Sequence, residues 1–234
     1  MQYVVKFAHC LFEQSGTFKE AFESFGIPAL DYDIANEYGK TDVQLDLLTE
    51  IERAFCGERS IFDHMRSGEL VFAFFPCTYF SNNNMLIFSN KSAHHVYTAA
   101  ELLERNYQRF HYWNCLLALF EVCKQRQLML IVENPYHLNY LLNNFPYQPA
   151  VIDTNRTLSG DSFVKRTMYY FLNIEPCAGK SCVPVSDRKH VQSVHYGRKR
   201  SEISPEYARN FIADKILGTS HAHKIKELFD DLPF

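Results

Sequence analysis

The sequence predicts an α/β fold built on a doubly wound, mostly parallel sheet, and three observations carry that prediction. Two runs, Leu70-Val71-Phe72-Ala73-Phe74-Phe75 and residues 128–132, are apolar at every position, as in parallel strands covered on both faces. The first third of the chain alternates strand and helix patterns with glycine between them. A second short strand ends in acids, Asp31 and Asp33, after a glycine turn and a helix, which is the pattern of the nucleotide half of a doubly wound fold.

Each element follows in order. Residues 3–11 read as the first strand, and Gly16 breaks it. Residues 17–25 read as a helix, because Phe18, Ala21, Phe22 and Phe25 fall at helical spacing. Gly26-Ile27-Pro28 ends it. Residues 29–34 form the acid-tipped strand, 43–47 a third and 69–75 a fourth. A long helix is expected over 99–125. A buried strand over 128–132 follows, then Glu133-Asn134-Pro135. Residues 150–154 and 167–172 are β-rich. A last helix opens at Ser204-Pro205-Glu206 and runs to about residue 216, with Ser204 as N-cap and Pro205 in the first turn.

The 234 residues are 47% hydrophobic and 22% charged, so the chain can bury a core without disulfide or metal staples. The expected organisation is one domain, 1–234. No apolar run reaches the roughly 18 residues of a membrane span. Seven cysteines, an odd number, and Met1 running directly into a first strand predict reduced thiols in a cytoplasmic protein. Cys177 and Cys182 are too widely spaced for a zinc knuckle, and no second pair follows, so no metal is expected. The net charge is −3, yet residues 180–200 hold six Lys or Arg against one Asp. The expected basic insert spans 173–203, and an acidic body with one basic segment suggests a surface that meets an anion.

Two strand ends carry chemistry. Cys77 follows Pro76 where a buried strand emerges, and a thiol there can be exposed and activated, although a core cysteine is the commoner fate. Glu133 closes an apolar strand, where a poorly solvated carboxyl is suited to donate a proton; a solvated turn is the simpler alternative. In an open α/β sheet both would emerge at the carboxyl edge, where ligands bind.

In order along the chain, these segments resemble the cytosine-5 DNA methyltransferases in their small phage and prophage form. Leu11-Phe12-Glu13-Gln14-Ser15-Gly16-Thr17-Phe18 is similar to the cofactor-binding motif, with Gln14 where the family has glycine. Asp31-Tyr32-Asp33 is similar to the acidic end of the second strand, and Leu45-Asp46-Leu47 to the motif whose Asp meets adenine. Phe75-Pro76-Cys77-Thr78 resembles the Pro-Cys motif, with Phe75 in place of a second Pro and Thr78 in place of Gln. Glu133-Asn134-Pro135 resembles the Glu-Asn motif, with Pro135 where Val is usual. Lys165-Arg166-Thr167 is similar to the late basic motif, and residues 204–211 to the closing helix beside the cofactor.

The resemblance implies a class I methyltransferase, Rossmann-like fold that uses S-adenosylmethionine to methylate cytosine in DNA, with a short basic region in place of a large target-recognition domain. Cys77 would be the nucleophile and Glu133 its acid partner, with Lys165 or Arg166 holding the base or a phosphate. Phe12, Gly16, Thr17, Phe18, Asp31, Asp33, Asp46, Pro76 and Asn210 would line the cofactor site. Lys180, Arg188, Lys189, Arg198, Lys199 and Arg200 would contact phosphates, which positions DNA without reading its sequence. Asn82-Asn83-Asn84 and His94-His95 mark a loop that could close over the base. Two other readings stay open: another pyrimidine substrate, as nucleotide or RNA, and a non-catalytic relative that binds nucleic acid. Calorimetry with S-adenosylmethionine separates the last from the enzymes.

Overall fold

Seven strands form one sheet in the order β3-β2-β1-β4-β5-β8-β6, in a computed structural model that describes residues 4–80, 96–136, 139–181, 189–190 and 202–219. The first five strands in that order are parallel: β1 (Ala8–Leu11), β2 (Ala29–Asp33), β3 (Val43–Gln44), β4 (Leu70–Ala73) and β5 (Met129–Pro135). β8 (Thr167–Leu172) runs antiparallel to β5, and β6 (Val151–Asp153) pairs antiparallel to β8. A separate two-residue pairing joins β7 (Phe163–Val164) to β9 (Lys189–His190). The arrangement is Rossmann-like, with β1 and β4 adjacent at the point where strand order reverses.

The apolar runs sit where two covered faces require them. Leu70, Phe72, Met129 and Ile131 face one cluster, with Phe18 and Phe22 of α1 (Thr17–Ser24) and Tyr207 and Phe211 of α5 (Pro205–Phe211). The alternate residues Val71, Ala73, Leu130 and Val132 face the other, with Ile51 of α2 (Leu47–Phe55) and Leu116, Leu119 and Phe120 of α3 (Ala99–Gln125). A period of two therefore divides each strand between two cores. Phe18 stacks on Phe72 at 4.6 Å between ring centroids, and Tyr169 meets Phe211 at 4.1 Å. Each such buried ring contributes about 1.5–3 kcal/mol by leaving water.

Several elements differ from the sequence-based expectation. β1 begins at Ala8 rather than residue 3, because the ladder begins where Ala29 and Leu70 stand opposite Ala8. β3 stops at Gln44, since Asp46 caps α2: its carboxylate accepts the Leu48 N–H at 3.1 Å and the Thr49 hydroxyl at 2.8 Å. β5 does not end at Val132 but runs on through Pro135. The antiparallel partner β8 extends beyond the end of β4, pairing Glu133 with Tyr169 and Pro135 with Thr167, so the acid lies within a strand. The final helix gives way at Ile212 to a π-helical segment, Ile212–Leu217. α3 and β8 have the expected bounds. Among the described residues no helix is long and apolar enough to cross a membrane.

Candidate active site

The Pro-Cys turn and the Glu-Asn strand meet at the carboxyl edge of adjacent strands. β4 and β5 pair in register from Leu70↔Met129 to Ala73↔Val132, so the chain leaves β4 beside Glu133 and Asn134. Asn134 is wholly buried, and its Nδ2 donates to the Phe75 carbonyl at 2.8 Å and to the Glu133 carbonyl. Phe75 precedes Pro76 and Cys77, so this amide pins the turn to the strand. Phe12, just beyond β1, packs edge-on against Phe75 at 5.3 Å. Its backbone is left-handed at φ 60°, a strained state for a bulky residue of the kind that clusters at functional sites.

Cys77 is half-buried. Burial raises its thiol above the ordinary range and the Glu133 carboxylate adds to the rise, while the Lys165 ammonium opposes both. Lys165 is half-buried too, and burial lowers its ammonium although Glu133 and Cys77 favour the charged form. Arg166 is exposed; its carbonyl accepts the Tyr136 N–H at 3.1 Å. Of the two basic candidates, Lys165 is the one whose charge acts on the thiol.

Arg156 joins them without any sequence signal. It lies in a 3-10 turn, Arg156–Ser159, just after β6, and is wholly buried. It is bonded to Asp161, its guanidinium carbon stands 4.8 Å from the Tyr207 ring centroid, and it acts electrostatically on Lys165 and feels the Glu133 charge. Asn210, expected beside a cofactor, donates to Ser159 O at 3.0 Å and so supports this turn. Around the end of β5 and the start of β8, Glu133 Oε1, Asn134 Oδ1, Thr167 Oγ1 and Arg156 Nε and Nη1 are buried with no hydrogen-bond partner among the described residues. Native interiors leave few such groups, and each calls for an explanation such as a catalytic or ligand-binding role.

A second polar cluster lies at the ends of β1 and β2. Gly16 has φ 70°, a left-handed backbone that favours glycine in this turn. Glu13 is buried and accepts the Phe18 N–H at 2.8 Å, capping α1. Burial pushes its carboxyl up to about 7, against the hydrogen bond from Phe18. Thr17 is half-buried and opens α1, with its hydroxyl 2.9 Å from Ser15 Oγ. Gln14 Oε1 accepts the Glu37 N–H at 3.3 Å, so its side chain reaches toward the loop after β2. Asp31 is wholly buried, accepts the Asp42 N–H at 2.7 Å and lies 3.6 Å from the Lys19 ammonium. Asp33, half-buried at the strand end, accepts the Ala35 N–H at 2.8 Å. Asp46 is exposed at the α2 cap.

Of the basic candidates, Lys180 is exposed, and Lys189 is described only as the backbone of β9. Arg188, Arg198, Lys199 and Arg200 lie outside the described residues, as do the asparagines and histidines of 82–95. Comparison with known proteins returns no match, either to a protein-family model or to a curated protein.

Proposed function

We propose that this chain is an S-adenosylmethionine-dependent DNA (cytosine-5-)-methyltransferase on a class I methyltransferase sheet. The observation that carries the reading is the 2.8 Å bond from Asn134 Nδ2 to Phe75 O, which brings the Pro-Cys turn and the Glu-Asn strand to one sheet edge. The strand order supports the same class: five parallel strands about a switch point, then antiparallel β8 between β5 and β6.

In this reading Cys77 Sγ, as thiolate, bonds to carbon-6 of a cytosine drawn out of the stack, and the ring double bond opens toward carbon-5. Glu133 donates to the ring nitrogen where charge accumulates, and Lys165 offsets the carboxylate that otherwise opposes thiolate formation. The cofactor supplies the methyl group that carbon-5 accepts. A base then takes the carbon-5 proton, the ring double bond reforms, and the sulfur–carbon bond breaks to return the thiolate. Residues at the ends of β1 and β2 suit a cofactor with hydroxyl and amino donors: Glu13 Oε2 and Asp31 Oδ2 are buried without hydrogen-bond partners among the described residues, beside the glycine turn. Phe12, Gly16, Thr17, Phe18 and Asp33 would hold it there, with Asp46 and Pro76 at the margins. Lys180 and the basic segment beyond it would meet the phosphates.

The test is mass spectrometry of DNA from cells expressing the chain. The wild type should deposit 5-methylcytosine, and Cys77→Ser should deposit none. DNA without 5-methylcytosine in both cases overturns the DNA assignment.

A further inference from the structure

A second constellation lies between two helices. Glu52 stands on α2, while His111 and Cys115 stand one turn apart on α3 and share a face. His111 Nδ1 is 3.2 Å from Glu52 Oε1, Cys115 Sγ is 3.6 Å from the same oxygen, and Sγ is 4.0 Å from Nδ1. A tetrahedral zinc ion, with bonds of about 2.0 Å to oxygen and nitrogen and about 2.3 Å to sulfur, requires edges of about 3.3, 3.5 and 3.6 Å between those atoms. Two of the three edges already fall there, and the third closes with a small shift of the imidazole.

We propose that Glu52, His111 and Cys115 form a binding site for a zinc-class divalent ion, with water in the fourth position. One thiolate, one imidazole and one carboxylate suit a borderline-soft ion rather than magnesium or calcium, which take oxygen ligands. Cys115 is wholly buried, His111 half-buried and Glu52 exposed, so the ion would enter from the Glu52 side and keep its water there. On binding, the Cys115 S–H bond breaks, its electron pair forms the metal bond, and the proton leaves to solvent. The ion would clamp α2 to α3. It would also fix the turn carrying Tyr112, whose ring meets Phe75 at 6.3 Å and Tyr79 at 4.8 Å on either side of Cys77. The site does not depend on the methyltransferase reading.

The test titrates the chelator-treated, full-length chain with Co2+ and then Zn2+. One Co2+ should bind per chain with the intense visible bands of a tetrahedral ion and a near-ultraviolet thiolate-to-cobalt band, and Zn2+ should displace it. Cys115→Ser should erase the thiolate band, while Cys56→Ser and Cys177→Ser should leave it unchanged. Glu52→Gln, at an exposed position, should weaken Co2+ by at least about tenfold, the smallest loss seen when even an outer-shell partner is removed. If buried Cys115→Ser does not fold, Glu52→Gln carries the test. A wild type without a tetrahedral spectrum, a thiolate band that survives Cys115→Ser, or unchanged affinity in Glu52→Gln each overturns the proposal.

Discussion

The two polar clusters along the carboxyl edge of the sheet differ in how many of their polar atoms are already bonded. At β1 and β2, Asp31 is held by Asp42 and Lys19, Asp33 by the Ala35 N–H, and Glu13 by the Phe18 N–H. Among the described residues, Glu13 Oε2 and Asp31 Oδ2 have no hydrogen-bond partner there, although Asp31 Oδ2 faces the Lys19 ammonium; at β5 and β8 five buried atoms, on Glu133, Asn134, Thr167 and Arg156, have none. The first region uses its acids to hold the fold together. The second keeps polar capacity in reserve. The contrast teaches that the same residue types carry different roles: substitutions in the first region should cost stability as well as cofactor binding, and those in the second mainly chemistry.

The largest expected effect is at Asp31. Asp31→Ala removes a wholly buried carboxylate and orphans the Asp42 N–H, while the Lys19 ammonium keeps its 3.0 Å pairing with Asp42; breaking a buried ion pair costs up to about 3–5 kcal/mol. Urea denaturation should show that loss as a lower midpoint. A loss below about 1 kcal/mol, near the typical net contribution of one hydrogen bond, would mean that Asp31 is not holding the fold and would erase the contrast.

Glu13→Gln sharpens the same side. Glu13 is raised to about 7 in the folded chain. Between its unfolded pKa of about 4.3 and 7, the unfolded state gives up its proton first, so wild-type stability should fall as pH rises through that window and then level off. The shift corresponds to about 4 kcal/mol at most. The glutamine keeps an acceptor for the Phe18 N–H and cannot ionise, so its unfolding free energy should lack that decline. A variant that declines in parallel with the wild type would place the titration elsewhere.

Alkylation of Cys77 probes the second region. Burial and the Glu133 carboxylate raise the thiol and Lys165 lowers it, so modification by iodoacetamide should be slow at neutral pH and quicken as pH rises. Glu133→Gln should quicken it severalfold at neutral pH, and Lys165→Met should slow it, as peptide mapping by mass spectrometry would report. Equal rates in all three proteins would separate Cys77 from both side chains.

The smallest stability effect should come from Thr167→Val. The hydroxyl is buried and unpartnered, so removing it should change unfolding free energy by no more than about 1 kcal/mol, in either direction. A loss of several kcal/mol would show that the hydroxyl is bonded and that the second region is less open than described.

What the sequence made legible follows from where local signals suffice. α3 has the bounds read from its pattern, and the Thr98 hydroxyl accepts the Glu101 N–H at 3.3 Å while Glu101 bonds the Thr98 N–H at 2.8 Å, a complete capping box. β4 and β5 were legible as double-faced apolar runs. The continuation of β5 through Pro135 was not, because it depends on β8 pairing across about 35 residues of chain; a strand-terminal proline there needs no ladder N–H. α2 was readable in retrospect from Asp46 followed by Leu47, Ile51 and Ala54 at helical spacing, a pattern masked by the likeness of Leu45-Asp46-Leu47 to a strand end. Cys77, Glu133 and Lys165 were named from sequence, and the structure draws them into one electrostatic group. Arg156 escaped notice because nothing in Asn155-Arg156-Thr157 distinguishes a buried guanidinium from an exposed one. The pairing of His111 with Cys115 had a signal, four residues on a predicted helix, but Glu52 reaches them only through packing of α2 on α3.

The account turns on Cys77 as a covalent nucleophile, and a DNA probe containing 5-fluorocytosine tests that most directly. Fluorine at carbon-5 cannot leave as a proton does, so the sulfur–carbon bond should persist once the methyl group has been transferred. With S-adenosylmethionine present, the wild type should give one denaturant-resistant protein–DNA adduct, mapped by mass spectrometry to Cys77. Cys77→Ser should give none while still binding the cofactor. An adduct that survives in Cys77→Ser, or a wild type that binds cofactor and DNA yet forms no adduct, would contradict the mechanism.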